Sequence, residues 1–186
     1  MKLRSVFIVF LFSITLIAQT PFEKGTYNLN GSLSFSSQSY EGGSDNLDIL
    51  TFNPQVGYFV GENFSLGLSL SYVNISLANS ESTTLGIGPS FRFYLHSERT
   101  IKPFFSLGYS YTESSNSSNK EKVIGTQFII TGGFDYFITS NVALETTISY
   151  MLNNEKFPNS YKYYYKSLTQ KSKTFLIGFG VNYFIY

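Results

Sequence analysis

The sequence predicts an all-β protein: an eight-stranded antiparallel up-and-down transmembrane β-barrel, preceded by a cleavable signal peptide. Three observations predict it. Period-two alternation recurs along the chain in stretches of strand length, punctuated by turn-forming residues. The bulky side of that alternation is Phe, Tyr, Leu and Ile, whereas the other side is mostly Gly, Ser, Asn and Thr. The chain also begins with a leader unlike anything after it.

Lys2 and Arg4 open that leader, the run from Val6 to Ile17 reads VFIVFLFSITLI, and Ala18-Gln19 supplies a small-residue exit. A basic start, a short apolar core and a small residue make a secretory signal. The apolar run falls short of the roughly 20 residues that a spanning helix needs. Residues 1–18 are therefore expected to be the signal peptide and 19–186 the barrel domain. Without Lys2 and Arg4 the mature chain carries 11 basic against 12 acidic residues, a balance that argues against nucleic acid as a partner. No Cys occurs, which excludes disulfides, thiol chemistry, cysteine metal sites and a lipid anchor on cysteine. Past the leader no long apolar run occurs, so a helical membrane protein is excluded. The chain holds 19 Phe and 15 Tyr with only 13% charged residues, the profile of a sheet that faces lipid.

The strands follow in order. Over Gly25–Ser37, Tyr27, Leu29, Leu33 and Phe35 alternate with Asn28, Asn30, Ser32 and Ser34. Leu47–Tyr58 sets Leu50, Phe52, Val56 and Tyr58 against Thr51, Asn53, Gln55 and Gly57, and Phe64–Ile75 sets Phe64, Leu66, Leu68, Leu70 and Tyr72 against Ser65, Gly67, Ser69 and Ser71. Thr83–Leu95 opposes Leu85, Ile87, Phe91 and Phe93 to Gly86, Gly88, Ser90 and Arg92. Pro103–Thr112 opposes Phe105, Leu107, Tyr109 and Tyr111 to Ser106, Gly108 and Ser110. Lys122–Ile138 is less regular, with Phe128, Ile130, Phe134 and Tyr136 against Gln127, Thr131, Gly133 and Asp135. Val142–Leu152 places Leu144, Ile148 and Tyr150 opposite Glu145, Thr147 and Ser149, and Thr174–Tyr186 places Phe175, Ile177, Phe179, Val181 and Tyr183 opposite Gly178, Gly180 and Asn182. Three connections are short (59–63, 96–101 and 139–141) and four are longer and polar (38–46, 76–82, 113–121 and 153–173). That asymmetry is the one expected of short periplasmic turns and longer outer loops, with both termini periplasmic. Pro54 and Pro89 fit strands poorly, and a bulge or kink is expected at each.

Two barrels share eight alternating strands: a soluble lipocalin-like barrel with an apolar lumen, and a membrane barrel with the reverse. Side-chain size separates them. Eight rows of Phe, Tyr, Leu and Ile would overfill so narrow a lumen, whereas Gly, Ser, Asn and Thr fit it. The bulky face is expected outward, which only lipid tolerates, and lipid in turn demands a closed ring of strands. Tyr27, Tyr58, Phe64, Phe93, Phe105, Tyr136 and Tyr183 lie toward the short-turn ends, and Tyr72, Tyr109, Tyr111 and Tyr150 toward the long-loop ends. Two such bands are expected of interfacial aromatic girdles.

With the strands placed, the stretch from Asn53 to Leu68, NPQVGYFVGENFSLGL, resembles the strand–turn–strand pattern of the OmpA-like outer-membrane β-barrel superfamily, most nearly its Bacteroidetes type. GGFDYF at 132–137 followed by NVALE at 141–145 repeats the pattern. The resemblance implies an integral protein of a Gram-negative outer membrane, in contact with outer-membrane lipid and lipopolysaccharide. It also implies that the aromatic ending GFGVNYFIY, with Tyr183, Phe184 and Tyr186, is read by the barrel-assembly machinery. Because the given chain ends on strand eight, the peptidoglycan-tethering role of the larger members is not carried over.

Chemistry is sparse. The single histidine, His96, falls in a short turn beside Ser97 and Glu98 and is expected to be a solvated turn residue. With one His and no Cys, neither a metal, a cofactor nor an enzymatic centre is expected. Arg92, Asp135 and Glu145 are the charged residues expected in the lumen, where charges need partners. Arg92 is expected to pair with Glu145 or Asp135 and plug the barrel; the alternative is a polar path for small solutes. The segment 153–173 carries Lys156, Lys162, Lys166, Lys171 and Lys173 around Tyr163 and Tyr164. It reads either as an extension of the flanking strands with interfacial tyrosines, or as a surface loop that holds lipopolysaccharide or another polyanion by counter-charge. The expected role is structural or surface-interacting with a plugged lumen; a small-solute channel or small-ligand-binding barrel is the alternative.

Overall fold

The computed structural model describes residues 21–39, 46–77, 80–96, 100–116, 122–158 and 168–186. The expected signal peptide, and Lys162, Tyr163, Tyr164 and Lys166, lie outside them. Eight strands follow one another: β1 Tyr27–Ser39, β2 Asn46–Gly61, β3 Phe64–Leu77, β4 Ser80–Tyr94, β5 Ile101–Asn116, β6 Lys122–Phe137, β7 Val142–Lys156 and β8 Thr169–Ile185. Each pairs antiparallel with its neighbours in sequence, and β1 meets β8, so the sheet closes into a barrel. The end that carries Phe22 and Tyr186 is termed the base and the opposite end the mouth.

Every strand turns its bulky row outward. Phe52, Leu68, Phe91 and Phe179 keep the expected parity, and Phe179 leaves 65% of its surface exposed. Asn28, Thr51, Ser65, Ser90, Ser106, Gln127, Thr147 and Asn182 are buried within. A lipocalin-like orientation is thereby excluded, because this wall offers water a continuous apolar belt. Register sets the expected aromatic bands at common heights. Tyr27 faces Tyr58, and Phe64, Phe93 and Phe105 run across β3, β4 and β5 near the base. Toward the mouth, Tyr109 pairs with Phe128 and Tyr150 with Phe175.

Three expectations need correction. The strands have 13–17 residues, more than the 9–11 that suffice to cross a bilayer. The excess absorbs segments expected as loops: β3 ends at Leu77, β4 begins at Ser80 and Glu113 stays in β5, while the pairing of Lys156 with Thr169 extends β7 and β8, as one of the two readings of 153–173 has it. At Pro54 and Pro89 the register does not shift. Opposite Pro54, β2 and β3 pair at Phe52↔Tyr72 and resume at Gln55↔Ser69 in the same register. Opposite Pro89, β4 and β5 pair at Ile87↔Tyr111 and resume at Ser90↔Gly108. A missing N–H removes the rung on one side without adding a residue, so each proline interrupts the ladder where a bulge was expected. The register shift between β2 and β3 lies between Phe59 and Gly61, beside the turn where Asn63 takes a positive φ of 61°. Finally, the lumen is not lined throughout by small residues: at the base it is filled by rings.

Backbones come close where glycine leaves room, most of all beside Pro89, where a Cβ on Gly88 would collide with the carbonyl oxygen of Tyr109. Gly88→Leu is expected to cost about 1–3 kcal/mol through overpacking and to slow recovery of the compact heat-modifiable band on refolding into micelles. Gly132→Ala, where an added Cβ meets nothing within 4 Å, is expected to leave both unchanged. Equal behaviour of the two variants in urea titrations would contradict this packing.

Candidate functional site

The lumen is layered. At the base, the segment Pro21–Thr26 crosses beneath the barrel, held by Asn63 N–H donating to Phe22 O (2.8 Å), Gly25 N–H to Phe59 O (2.9 Å) and Phe59 N–H to Thr26 O (2.8 Å). This lays Phe22 among Phe59, Tyr94, Phe104 and Phe184, all buried, with Phe137 and Tyr186 packed against them. Ring centroids lie 4.5 Å apart for Phe22–Tyr94 and 5.5 Å for Phe22–Phe184, spacings at which tilted and edge-to-face aromatic pairs attract. Lys102 Nζ stands 5.6 Å from the Phe22 ring centre.

Of these rings only Phe184 and Tyr186 carry a sequence-based expectation, that of the assembly signal. Their parity could have found them: Phe59 continues the inward row of Gly57, Tyr94 that of Arg92, Phe104 that of Ser106, and Phe184 that of Asn182. Phe184, expected as part of an assembly signal, is a fully buried member of this cluster. Its N–H donates to Asn141 O at 2.8 Å and its carbonyl accepts from Asn141 Nδ2 at 2.9 Å. Tyr186 donates to Asn141 Oδ1 at 3.2 Å, and Tyr183 pairs with Val142 on the outward row.

Above the rings sit the three charged residues expected in the lumen. Arg92, Asp135 and Glu145 are 3%, 0% and 3% exposed. Of the two partners expected for Arg92, Glu145 is the one it meets: Arg92 Nη1 and Glu145 Oε2 are 2.5 Å apart. Glu145 also accepts from Asn30 Nδ2 at 2.7 Å. Arg92 Nη2 reaches Gln55 Oε1 at 3.4 Å, and its guanidinium lies 4.1 Å from the centre of the Phe104 ring, within range of a cation–π contact. Asp135 joins indirectly. Tyr94 donates its hydroxyl to Asp135 Oδ2 (2.9 Å) while accepting from Arg92 Nη1 (3.3 Å), and Asn182 Nδ2 lies 3.0 Å from Asp135 and 2.9 Å from the Tyr94 oxygen. One cation and two carboxylates are thus knitted into a sheet of polar contacts resting on aromatic rings. The arrangement holds charge in place across the lumen above the rings.

Above this network a cavity of about 90 Å³ is lined by Asn30, Ser32, Asn53, Ser69, Ser106 and Thr131. It leads to a larger cup of about 480 Å³ at the mouth, with Ile49, Val73, Ile75, Met151 and Leu176 among Thr51, Thr112 and Gln127. His96 is exposed just past β4. Among the described residues no group of three His, Cys, Asp or Glu side chains is placed to hold a metal. Lys156, Lys171 and Lys173 lie exposed on the strand ends near the mouth.

Removing one partner of a buried ion pair leaves the other uncompensated. Arg92→Ala is expected to cost about 3–5 kcal/mol, and Arg92→Met combined with Glu145→Gln to recover most of it, read from urea unfolding midpoints in vesicles. A double variant no more stable than the single one would show that the pair is not coupled.

No family model matches the chain, and no curated protein matches it. Solved structures do. Neisserial surface protein A has a TM-score of 0.59 at 15% identity, over 86% of this chain and 97% of its own. The outer membrane protein OprG of Pseudomonas aeruginosa has 0.56 at 12%, over 90% and 100%. The N-terminal β-barrel domain of Pseudomonas aeruginosa OprF has 0.53 at 14%, over 87% and 98%. At such low identities these likenesses establish the fold: the chain is an eight-stranded antiparallel barrel of the transmembrane kind.

Proposed function

We propose that the chain is an integral protein of a bacterial outer membrane, of the OmpA-like Bacteroidetes type, with its base toward the periplasm. Its role is structural or surface-interacting, and its lumen does not conduct. The observation that carries this reading is the filling of the base, where the Arg92–Glu145–Asp135 network lies above the Phe22 ring cluster. Barrels of eight strands are filled by their side chains, and here the filling is charged, paired and backed by rings. The reading places the strand overhangs and the basic segment 153–173 at the cell surface, where Lys156, Lys162 and Lys166, with Tyr163 and Tyr164, would meet lipopolysaccharide or another polyanion by counter-charge. It also makes Tyr183, Phe184 and Tyr186 the ending that the barrel-assembly machinery engages during biogenesis. No catalytic step enters the reading. A second reading, a small-ligand-binding barrel, is favoured by the cup at the mouth.

In planar bilayers the purified protein is expected to give no resolved current steps. Combining Phe22→Ala with Arg92→Ala and Glu145→Ala is expected to produce them, because both layers are then thinned. Steady conductance of the unmodified protein would overturn the sealed-lumen reading, as would a triple variant that folds and stays silent. The protein should also appear as a heat-modifiable band in outer-membrane fractions, and its absence there would remove the assigned location.

A further inference from the structure

The seam that closes the barrel is joined over only part of its length. β1 and β8 pair from Tyr27↔Ile185 to Leu33↔Phe179. The same register would continue from Ser34 opposite Gly178 to Ser39 opposite Lys173, yet no pairing occurs there, although both segments are strand. Each remains fully paired on its other side: Ser34–Ser39 with β2, from Ser34↔Thr51 to Ser39↔Asn46, and Lys173–Gly178 with β7, from Leu152↔Lys173 to Thr147↔Gly178. The wall is therefore unzipped between two intact strands in its mouth-side half. Phe35, Phe175 and Ile177, outward residues that are 69%, 62% and 55% exposed, line the cup together with the inward Val73, Met151 and Leu176. Cup and outer wall thus communicate through the opening.

Unpaired backbone at membrane depth is tolerated where it lines a wet cavity, and the cup supplies a cavity lined in part by hydroxyl and amide side chains. Its volume of about 480 Å³ falls within the roughly 300–1,000 Å³ of small-molecule pockets. Its lining mixes aliphatic side chains with Thr51, Thr112 and Gln127, which suits a molecule with both an apolar chain and a polar end. On the β8 side of the opening Lys171 and Lys173 are exposed on the outward row, directly beyond Phe175 toward the mouth, whereas the acids nearby stand on other strands, Glu155 in the cup lining on β7 and Asp48 opposite Ser37 on β2. Lysines at the edge of an apolar wall mark the level of anionic headgroups.

We propose that the unzipped β1–β8 seam is a lateral entrance through which a long-chain fatty acid passes from the surrounding lipid into the cup, its carboxylate held at the level of Lys171 and Lys173. The molecule enters sideways because its chain is already dissolved in the bilayer, and it goes no farther than the polar floor formed by Gln55, Ser90 and Arg92. This deepens the ligand-binding reading and relies on the sealed base only for that floor.

The test uses the whole protein in phosphatidylcholine vesicles with a photoreactive palmitate, mapping the labelled residues by mass spectrometry. Label is expected on Val73, Met151 or Leu176 and should be competed by unlabelled palmitate. Lys171→Gln with Lys173→Gln is expected to weaken that competition by about fivefold or more. Label confined to Phe35, Phe175, Ile177 and other belt positions such as Leu68 would overturn the proposal, since it would mark bulk lipid alone. Amide hydrogen exchange tests the entrance without any ligand: Phe35 and Ile177 are expected to exchange much faster than Leu33 and Phe179, and uniform protection along the seam would overturn the proposal as well. Bilayer currents report on the base separately. A conducting barrel that still labels in the cup would sink only the sealed-lumen reading, and a silent barrel without cup label would sink only this one.

Discussion

In hydrocarbon there is no water to satisfy a backbone N–H or C=O, so a sheet that crosses a bilayer has to be a ring. This constraint organises the molecule. Because β1 is obliged to meet β8, the outward row of every strand is given to lipid, and polar side chains in the spanning region are left to the lumen. A lumen of eight strands is too narrow for a hydrated charge, so Arg92 has to find its counter-charge among the side chains that share its layer, and Glu145 answers it. Among the described residues the ladder is interrupted beside Pro54, beside Pro89 and along the mouth half of the β1–β8 seam, and it shifts between Phe59 and Gly61. Register survives past both prolines because the period-two pattern on either side pins it; a slip of one residue would turn the outward Phe rows into the lumen and the inward Ser rows into lipid.

Along the axis the filling changes character in a consistent order. Rings occupy the base, ionised and amide groups the next layer, small hydroxyl residues the next, and a mixed aliphatic and polar lining the mouth. The order is physically sensible. The buried carboxylates need donors, and Asn30 supplies one to Glu145 while Tyr94 and Asn182 both reach Asp135 Oδ2. Below them the rings add no further groups that need solvating, apart from the Tyr94 hydroxyl, which is already engaged. The guanidinium stacked on Phe104 joins the two layers, so loss of either would loosen both.

Much of this was legible in the residue pattern, and the misses have specific causes. Strand parity located the wall, its orientation and the burial of Arg92, Asp135 and Glu145. It could not decide which carboxylate meets Arg92, since that depends on how β4 and β7 face each other across the lumen and no local pattern carries it. Phe59, Tyr94, Phe104 and Phe184 obey the same parity, but an aromatic residue near the end of a membrane strand suggests a girdle facing lipid or, for Phe184, the assembly signal rather than a buried ring. Phe22 lies outside any alternating stretch, so no period marks it. The open seam leaves no trace in the pattern either, since Ser34–Ser39 would alternate in the same way whether or not β8 were hydrogen-bonded to it. At the two prolines the pattern suggests a bulge or kink, and no register shift occurs because a lost N–H needs no inserted residue.

The ring of Phe22 has a bearing on the order of events during assembly. It precedes β1, yet it is lodged against Phe184, at the far end of the chain in β8. Its resting place is made of side chains from β2, β4, β5 and β8, and is incomplete until the last of these arrives. A growing or partly inserted sheet therefore has an open bottom, and the stopper can seat only after the hoop has been joined. Closure of the cylinder and packing of its base become one event, timed by the meeting of β1 with β8.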